Sequence, residues 1–177
     1  MEPTTPEVEP SPPADFVTTW QQVVSDPRAF FAAMPETGGL GDPIRFLVTC
    51  ASVNAAGAYL VSWSLTVAIG AFLGVVIGSF LLAAVMTLAS QQLFDGSAGF
   101  EPVFRAVAYG SAPAVAFWVP LLAAIPCVYA WYLHTRGIER VQGFEPTRAV
   151  LTTIIGWAAV WALAHGLTGS VGWIGTR

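Results

Sequence analysis

The sequence predicts an all-α, polytopic integral membrane protein with five transmembrane helices and an amphipathic N-terminal segment. Hydrophobic residues make up 55% of the 177-residue chain and charged residues only 10%, whereas soluble domains carry about 25% charged residues. No Asp, Glu, Lys or Arg occurs between Phe46 and Phe94. A bilayer span needs about 20 mostly apolar residues, so this tract holds two spans. The basic residues, all arginine, lie mostly in the short stretches that flank the apolar tracts.

The first 42 residues are predicted to lie outside the membrane. Residues 1–14 form an acidic, proline-rich arm that is expected to be disordered, because it has almost nothing to bury. The arm lacks the positive region and adjoining apolar run that begin a signal peptide. Residues 15–42 are predicted to contain two short amphipathic helices on the cytosolic side, the second capped by Ser25 or Asp26 with Pro27 at its first position. Their aromatic face lies either among lipid headgroups or against the cytosolic ends of the spans.

The membrane domain is predicted to cover residues 43–168, with a first span over 44–61 and a second over 67–88. Gly70, Gly74 and Gly78 share one face of the second span, at the four-residue spacing that lets another backbone approach closely. Packing against a helix of the same chain is one interpretation of this stripe. Homodimerisation through the same face and a permeation path are the alternatives.

The apolar stretch 104–134 is too long for one span and short for two. If it is a short proline-containing hairpin that turns near Pro120, six of the seven arginines lie on the side of the N-terminus and only Arg177 lies opposite. A single kinked span would divide them four to three. Because cytoplasmic loops are rich in arginine, the hairpin is favoured. The expected topology has a cytoplasmic N-terminus, a last span over 148–167 and a short external tail, residues 169–177.

The sequence offers no catalytic, cofactor or metal site that a known chemistry would require. The two histidines have no acidic residue near them in a membrane helix, and no carboxylate lies in a predicted membrane core. A Gly-x-Ser-x-Gly elbow is also missing. Cys50 and Cys127 are expected to be small buried hydrophobes. The chain is therefore predicted not to be an enzyme and to need no cofactor, and without a basic patch it is not expected to bind nucleic acid.

Three groups of residues resemble motifs of one membrane protein family. The first is Asp26-Pro27-Arg28-Ala29-Phe30-Phe31, followed by Met34-Pro35 and Gly38-Gly39; the second is Phe104-Arg105-Ala106, followed by Ala108-Tyr109 and Ala112-Pro113; the third is Gly137-Ile138, Gly143 and Arg148-Ala149. In order and spacing, over residues 18–168, they resemble the bacterial branch of the Yip-domain proteins.

The resemblance implies a five-segment protein of the bacterial inner membrane with a cytosolic N-terminus. Eukaryotic members of the wider family bind prenylated Rab GTPases in vesicle traffic, but the motifs resemble the bacterial branch, whose role is largely undefined, and the Rab function is not carried over.

The function predicted from these observations is that of a membrane adaptor or scaffold, and a small transporter or channel subunit is the alternative. The adaptor would bind membrane lipids, or an unidentified membrane or cytosolic protein, through its cytosolic face, where arginine suits phosphate and carboxylate groups. Assembly into a homo-oligomer is left open. The candidate interaction residues are Phe30, Phe31, Phe104, Arg105, Tyr109, Pro113, Arg136, Arg140 and Arg148.

Overall fold

A computed structural model describes residues 15–174 of the chain, with side chains described as far as residue 166. The predicted disordered arm therefore lies outside the described residues, as do the last three residues of the predicted tail. The described part is all-helical and contains no strand. Its elements are α1 (Phe16–Ser25), α2 (Pro27–Ala33), α3 (Gly41–Ser62), α4 (Leu65–Leu93), α5 (Phe100–Gly110), a 3-10 helix (Ala112–Ala116), α6 (Ala124–Gln142) and α7 (Pro146–Ile174).

Three of these helices, α3, α4 and α7, are long and apolar enough to cross a membrane. Their most apolar stretches have mean hydropathies of 1.4, 2.4 and 1.5, so the chain is of the membrane type. They correspond to the first, second and last predicted spans. Helices α3 and α4 are joined by a two-residue turn, in which Trp63 has a φ of 52° and the Ser64 hydroxyl accepts a hydrogen bond from Val67 N at 3.4 Å. The Ser64 side chain thereby caps α4.

The chain folds back on itself between α5 and α6. Residues 117–123, which include Pro120, form the turns that connect the 3-10 helix to α6. A Cβ added at Gly110 would meet His134, and a Cβ added at Gly137 would meet Ala106. The later residue of α5, Gly110, thus contacts the earlier residue of α6, His134, and Ala106 contacts Gly137. Helices α5 and α6 are therefore antiparallel. Helix α5 has 11 residues and is about 16 Å long, shorter than the hydrocarbon core of a bilayer.

Helix α5 is the centre of the helical bundle. Every residue from Val103 to Gly110 is buried, with α3, α4 and α6 packed around it and α1 against one side. Apart from Glu101 and Arg105, the residues of α5 are small, apolar or aromatic, so most of its surface must be enclosed by protein or by lipid. In this structure α5 is enclosed by protein. The sequence pattern alone does not distinguish such a helix from a membrane-spanning one.

Helices α1 and α2 pack on the helical bundle. The Asp26 carboxylate caps α2 by accepting a hydrogen bond from Ala29 N at 3.1 Å, with Pro27 at the first helical position. Trp20 Nε1 donates to the Ala112 carbonyl at 3.0 Å, and Tyr129 donates its hydroxyl proton to the Val24 carbonyl at 2.6 Å. These two bonds fix α1 to the 3-10 helix and to α6.

All the described arginines lie at one end of the bundle, called the arginine end below. Here α3 and α7 begin, and α4 and α6 end. Hydrogen bonds join these termini to one another: Arg148 Nη1 donates to Phe94 O at 3.3 Å, and Gln142 Nε2 donates to Ser90 Oγ at 2.7 Å. The arginines at this end are Arg28, Arg45, Arg105, Arg136, Arg140 and Arg148.

Replacing Gln142 with leucine is expected to destabilise the arginine end. The buried Gln142 amide donates to Ser90 Oγ and accepts from Ala98 N at 3.0 Å, so leucine leaves the Ala98 N–H without this partner. The expected loss is about 1–3 kcal/mol of unfolding free energy, measured by denaturant titration in mixed micelles. Gln91→Leu is the matched control, because Gln91 also bonds to Ala98 but is exposed. Equal losses in the two variants would contradict the role assigned to Gln142.

Candidate functional site

A groove at the arginine end lies between α2 and the C-terminal turns of α6. It is an open depression with a volume of about 680 Å³. Its lining residues are Arg28, Phe31, Ala32, Arg136, Glu139, Arg140, Gly143 and Phe144. This set, called the arginine groove below, brings together three guanidinium groups from two helices that are distant in sequence.

The local sequence positions these guanidinium groups. The Asp26 cap and Pro27 begin α2 and put Arg28 in its first turn. Arg136 and Arg140 are four residues apart in α6, so they share one face of that helix. Gly137 lies between them, and a Cβ at this position would be 3.3 Å from Phe31 Cε1. The missing side chain therefore lets α6 approach α2 closely.

The groove carries an excess of positive charge. Arg136 Nη1 donates to Glu139 at 2.6 Å, and Arg140 Nη1 donates to Glu36 at 3.1 Å. Hydrogen bonding to Tyr132, and then to Glu139, raises the pKa of Arg136. Arg28 has no hydrogen bond or ion pair with any described residue. Three guanidinium groups against two carboxylates leave one positive charge unneutralised.

This arrangement can bind an anion. Guanidinium groups bind carboxylates and phosphates through paired N–H donors, and such charge-assisted bonds are stronger than neutral ones. The Arg140–Glu36 pair is about half exposed on both sides, and exposed ion pairs contribute little to stability. An incoming anion can therefore displace Glu36 at small cost while it also engages Arg28.

Arg105 and Tyr109, two other predicted site residues, are buried within the bundle. Arg105 is 5% exposed and lies in the middle of α5, around which α1, α3, α4 and α6 pack. Arg105 Nη1 donates to Gly39 O at 2.6 Å, and Gly39 N donates to Glu101 at 2.7 Å. These two bonds, called the Gly39 clamp below, fix the loop before α3, where Gly39 has a φ of 82°.

The remaining predicted residues are dispersed. Phe104 is fully buried, with its ring 4.4 Å from that of Phe80, and Pro113 is buried in the 3-10 helix. Phe30 and Tyr109 pack edge to face at 5.1 Å. Arg148 is exposed and lies outside the arginine groove. Of the nine predicted residues, only Phe31, Arg136 and Arg140 line this groove.

Arg28 lines the groove but is not among the residues predicted for the site. The sequence does indicate its place in a helix, because Arg28 directly follows the cap and the proline that begin α2. Its position in the first turn of that helix could have been inferred from the sequence alone. The position of α2 beside the end of α6 could not.

The glycine stripe of α4 does not hold another described backbone close. A Cβ added at Gly70, Gly74 or Gly78 would meet no atom of a neighbouring element within 4 Å among the described residues. The interpretation of the stripe as a close contact within the chain is therefore not what the structure shows. Gly74 and Gly78 instead line a second, partly open cavity of about 400 Å³ between helices of the bundle. Close approaches occur at other glycines, namely Gly57, Gly96, Gly110, Gly137 and Gly156.

His134 is the only buried histidine among residues with described side chains, and both of its ring nitrogens are used. Trp157 Nε1, which can only donate, lies 3.2 Å from Nδ1. The ring proton is therefore on Nε2, which donates to the Val107 carbonyl at 3.2 Å. Within residues 15–174, no group of three or more His, Cys, Asp or Glu side chains could hold a metal ion.

Comparison with protein families gives one finding. The family model described as the Yip1 domain matches residues 22–168, which is more than four fifths of the chain. The match begins in α1 and ends within α7, and it includes both the arginine groove and the Gly39 clamp. Comparison with curated proteins and with solved structures gives no match.

Proposed function

Because the chain belongs to the Yip1 domain family, we propose that it is an integral membrane adaptor or scaffold that performs no catalysis. In this proposal the arginine groove binds an acidic segment of a cytosolic protein and so tethers that protein to the membrane. The observation that carries the proposal is Arg28, which lines the groove beside Arg136 and Arg140 and has no anionic partner among the described residues.

The proposed topology has five membrane segments, with the N-terminus in the cytoplasm and the C-terminus outside. Helices α3, α4 and α7 cross the membrane, and α5 and α6 form the two arms of a short hairpin that enters from the arginine end. Support comes from the charge distribution, because every described arginine lies at this end. The positive-inside rule assigns such an end to the cytoplasm. The motif resemblance supports assignment to the bacterial branch of the family and to the bacterial inner membrane.

Crosslinking followed by affinity purification in mild detergent tests the adaptor proposal. The expected result is recovery of a specific protein, reduced about tenfold in both Arg28→Ala and Arg140→Ala, since loss of one charged contact costs about 1.5–3 kcal/mol. Arg45→Ala is the matched control. Arg45 is an exposed arginine at the same end that pairs with Asp42 outside the groove.

Two results would contradict the proposal. If Arg45→Ala reduces recovery as much as Arg28→Ala, the partner responds to net charge rather than to the groove. If no protein is recovered and the arginine variants instead lose bound anionic phospholipid, the groove is a headgroup site. Substrate flux through the purified protein in proteoliposomes would favour the transporter alternative.

A further inference from the structure

The cavity lined by Gly74 and Gly78, called the membrane cavity below, lies between α3, α4, α6, α7 and the 3-10 helix. Along α4 it extends from Ala71 to Leu82, a length of about 16 Å at the helical rise. Its volume of about 400 Å³ exceeds that of ten water molecules at about 30 Å³ each. Most of its lining is apolar, and three of the surrounding helices are those long enough to cross the membrane.

Three of the four most polar side chains that line the membrane cavity have their hydrogen bonds satisfied. Ser111 Oγ donates to the Val107 carbonyl at 2.9 Å, so its single proton is used. Ser79 Oγ lies 3.2 Å from Ser111 Oγ and must therefore be the donor to it. His134 bonds to Trp157 through one ring nitrogen and to Val107 through the other.

Asn54 is the exception. Its Nδ2 lies 3.4 Å from the Ala71 carbonyl, and because that carbonyl can only accept, the orientation of the amide is determined. The other amide atom, Oδ1, has no hydrogen-bond partner among the described residues, although Asn54 is only 4% exposed. Buried acceptors are normally paired, and an unpaired one requires an explanation. The membrane cavity thus contains a vacant acceptor in an apolar setting.

We propose that the membrane cavity binds a single-chain lipid that carries a hydroxyl group, with the hydroxyl donating to Asn54 Oδ1 and the chain lying along Gly74 and Gly78. A hydroxyl supplies the donor that Asn54 lacks, and an unbranched chain matches an elongated apolar space. The absence of side chains at the two glycines leaves room for the chain. A helix from a second copy fits less well, because it would use the whole stripe, and Gly70 does not line the membrane cavity. The proposal is independent of the arginine groove.

Photolabelling tests where the lipid binds. The probe is a long-chain alcohol with a diazirine in its chain, applied to the full-length protein in nanodiscs. Gly74→Leu and Gly78→Leu fill the space and should reduce saturable labelling at least tenfold. Gly70→Leu adds the same side chain on the same helix face outside the membrane cavity and should leave labelling unchanged. Labelling that does not saturate, or that falls equally in all three variants, would overturn the proposal. If labelling falls equally in the three variants and a dimer is also lost, this face of α4 binds a second copy of the chain instead.

A second measurement tests the hydrogen bond to Asn54. The wild-type protein should bind the alcohol about tenfold more tightly than its methyl ether, because the ether cannot donate to the buried acceptor. Asn54→Leu should bind the two compounds equally. If Asn54→Leu does not fold, the ratio of the wild-type protein's affinities for the alcohol and for the ether is sufficient. Equal affinities would overturn the assignment of the hydroxyl to Asn54.

Discussion

Replacing Gly137 with leucine is expected to lower the unfolding free energy by about 3 kcal/mol, at the upper end of the cost of overpacking a core. Even a Cβ at this position would lie 2.7 Å from Ala106 Cβ and 3.3 Å from Phe31 Cε1. Helices α5 and α2 would both have to move away from α6, which would also deform the arginine groove. Denaturant titration in mixed micelles, followed by tryptophan fluorescence, measures the loss.

The control for this substitution is Gly70→Leu. A Cβ at Gly70 meets no neighbouring element within 4 Å among the described residues. The same change in volume should alter stability there by no more than about 0.5 kcal/mol. A Gly137→Leu protein as stable as Gly70→Leu would contradict the close contact between α5 and α6.

Replacing Arg105 with alanine is expected to cost about 3 kcal/mol, because it removes one half of the Gly39 clamp. The buried guanidinium donates a charge-assisted bond to Gly39 O at 2.6 Å, and such bonds contribute about 1.5–3 kcal/mol. Truncation also leaves a void within the bundle, which adds to the loss. Limited proteolysis should show faster cleavage in residues 34–40, and the unfolding free energy should fall with it.

Arg105→Lys separates charge from geometry. Lysine keeps the positive charge but lacks the planar fork of donors, so stability should recover only in part. Arg45→Ala removes an exposed arginine and should have little effect on stability, because its ion pair with Asp42 is largely solvated. If Arg105→Ala leaves stability unchanged but abolishes partner recovery, Arg105 is a recognition residue, and its assignment to the Gly39 clamp is wrong.

The three longest helices could be predicted because their sequence signal is local. A long apolar run of about 20 residues is typical of a membrane-spanning helix, and such runs predict α3, α4 and α7. Helix α5 could not be assigned in the same way. A helix enclosed by protein and a helix enclosed by lipid are both apolar all round. Only the folded positions of α1, α3, α4 and α6 show which of the two surrounds α5.

The candidate site was predictable in its charge but not in its geometry. The arginine distribution predicts that the loops share one end of the bundle, and the described arginines do lie together there. The sequence does not show that Arg105 is bonded to Gly39 whereas Arg140 lines the groove. The glycine stripe shows the same limit, because residue spacing defines a face of α4 but not what lies opposite that face.

Reporter fusions at the two chain ends test the proposed topology, in which the arginine end faces the cytosol and the middle of the chain folds back toward it. We expect a reporter fused before Met1 to be in the cytoplasm and one fused after Arg177 to be outside. Finding both reporters in the same compartment would contradict the folded-back hairpin and the common cytosolic face that the arginine groove requires.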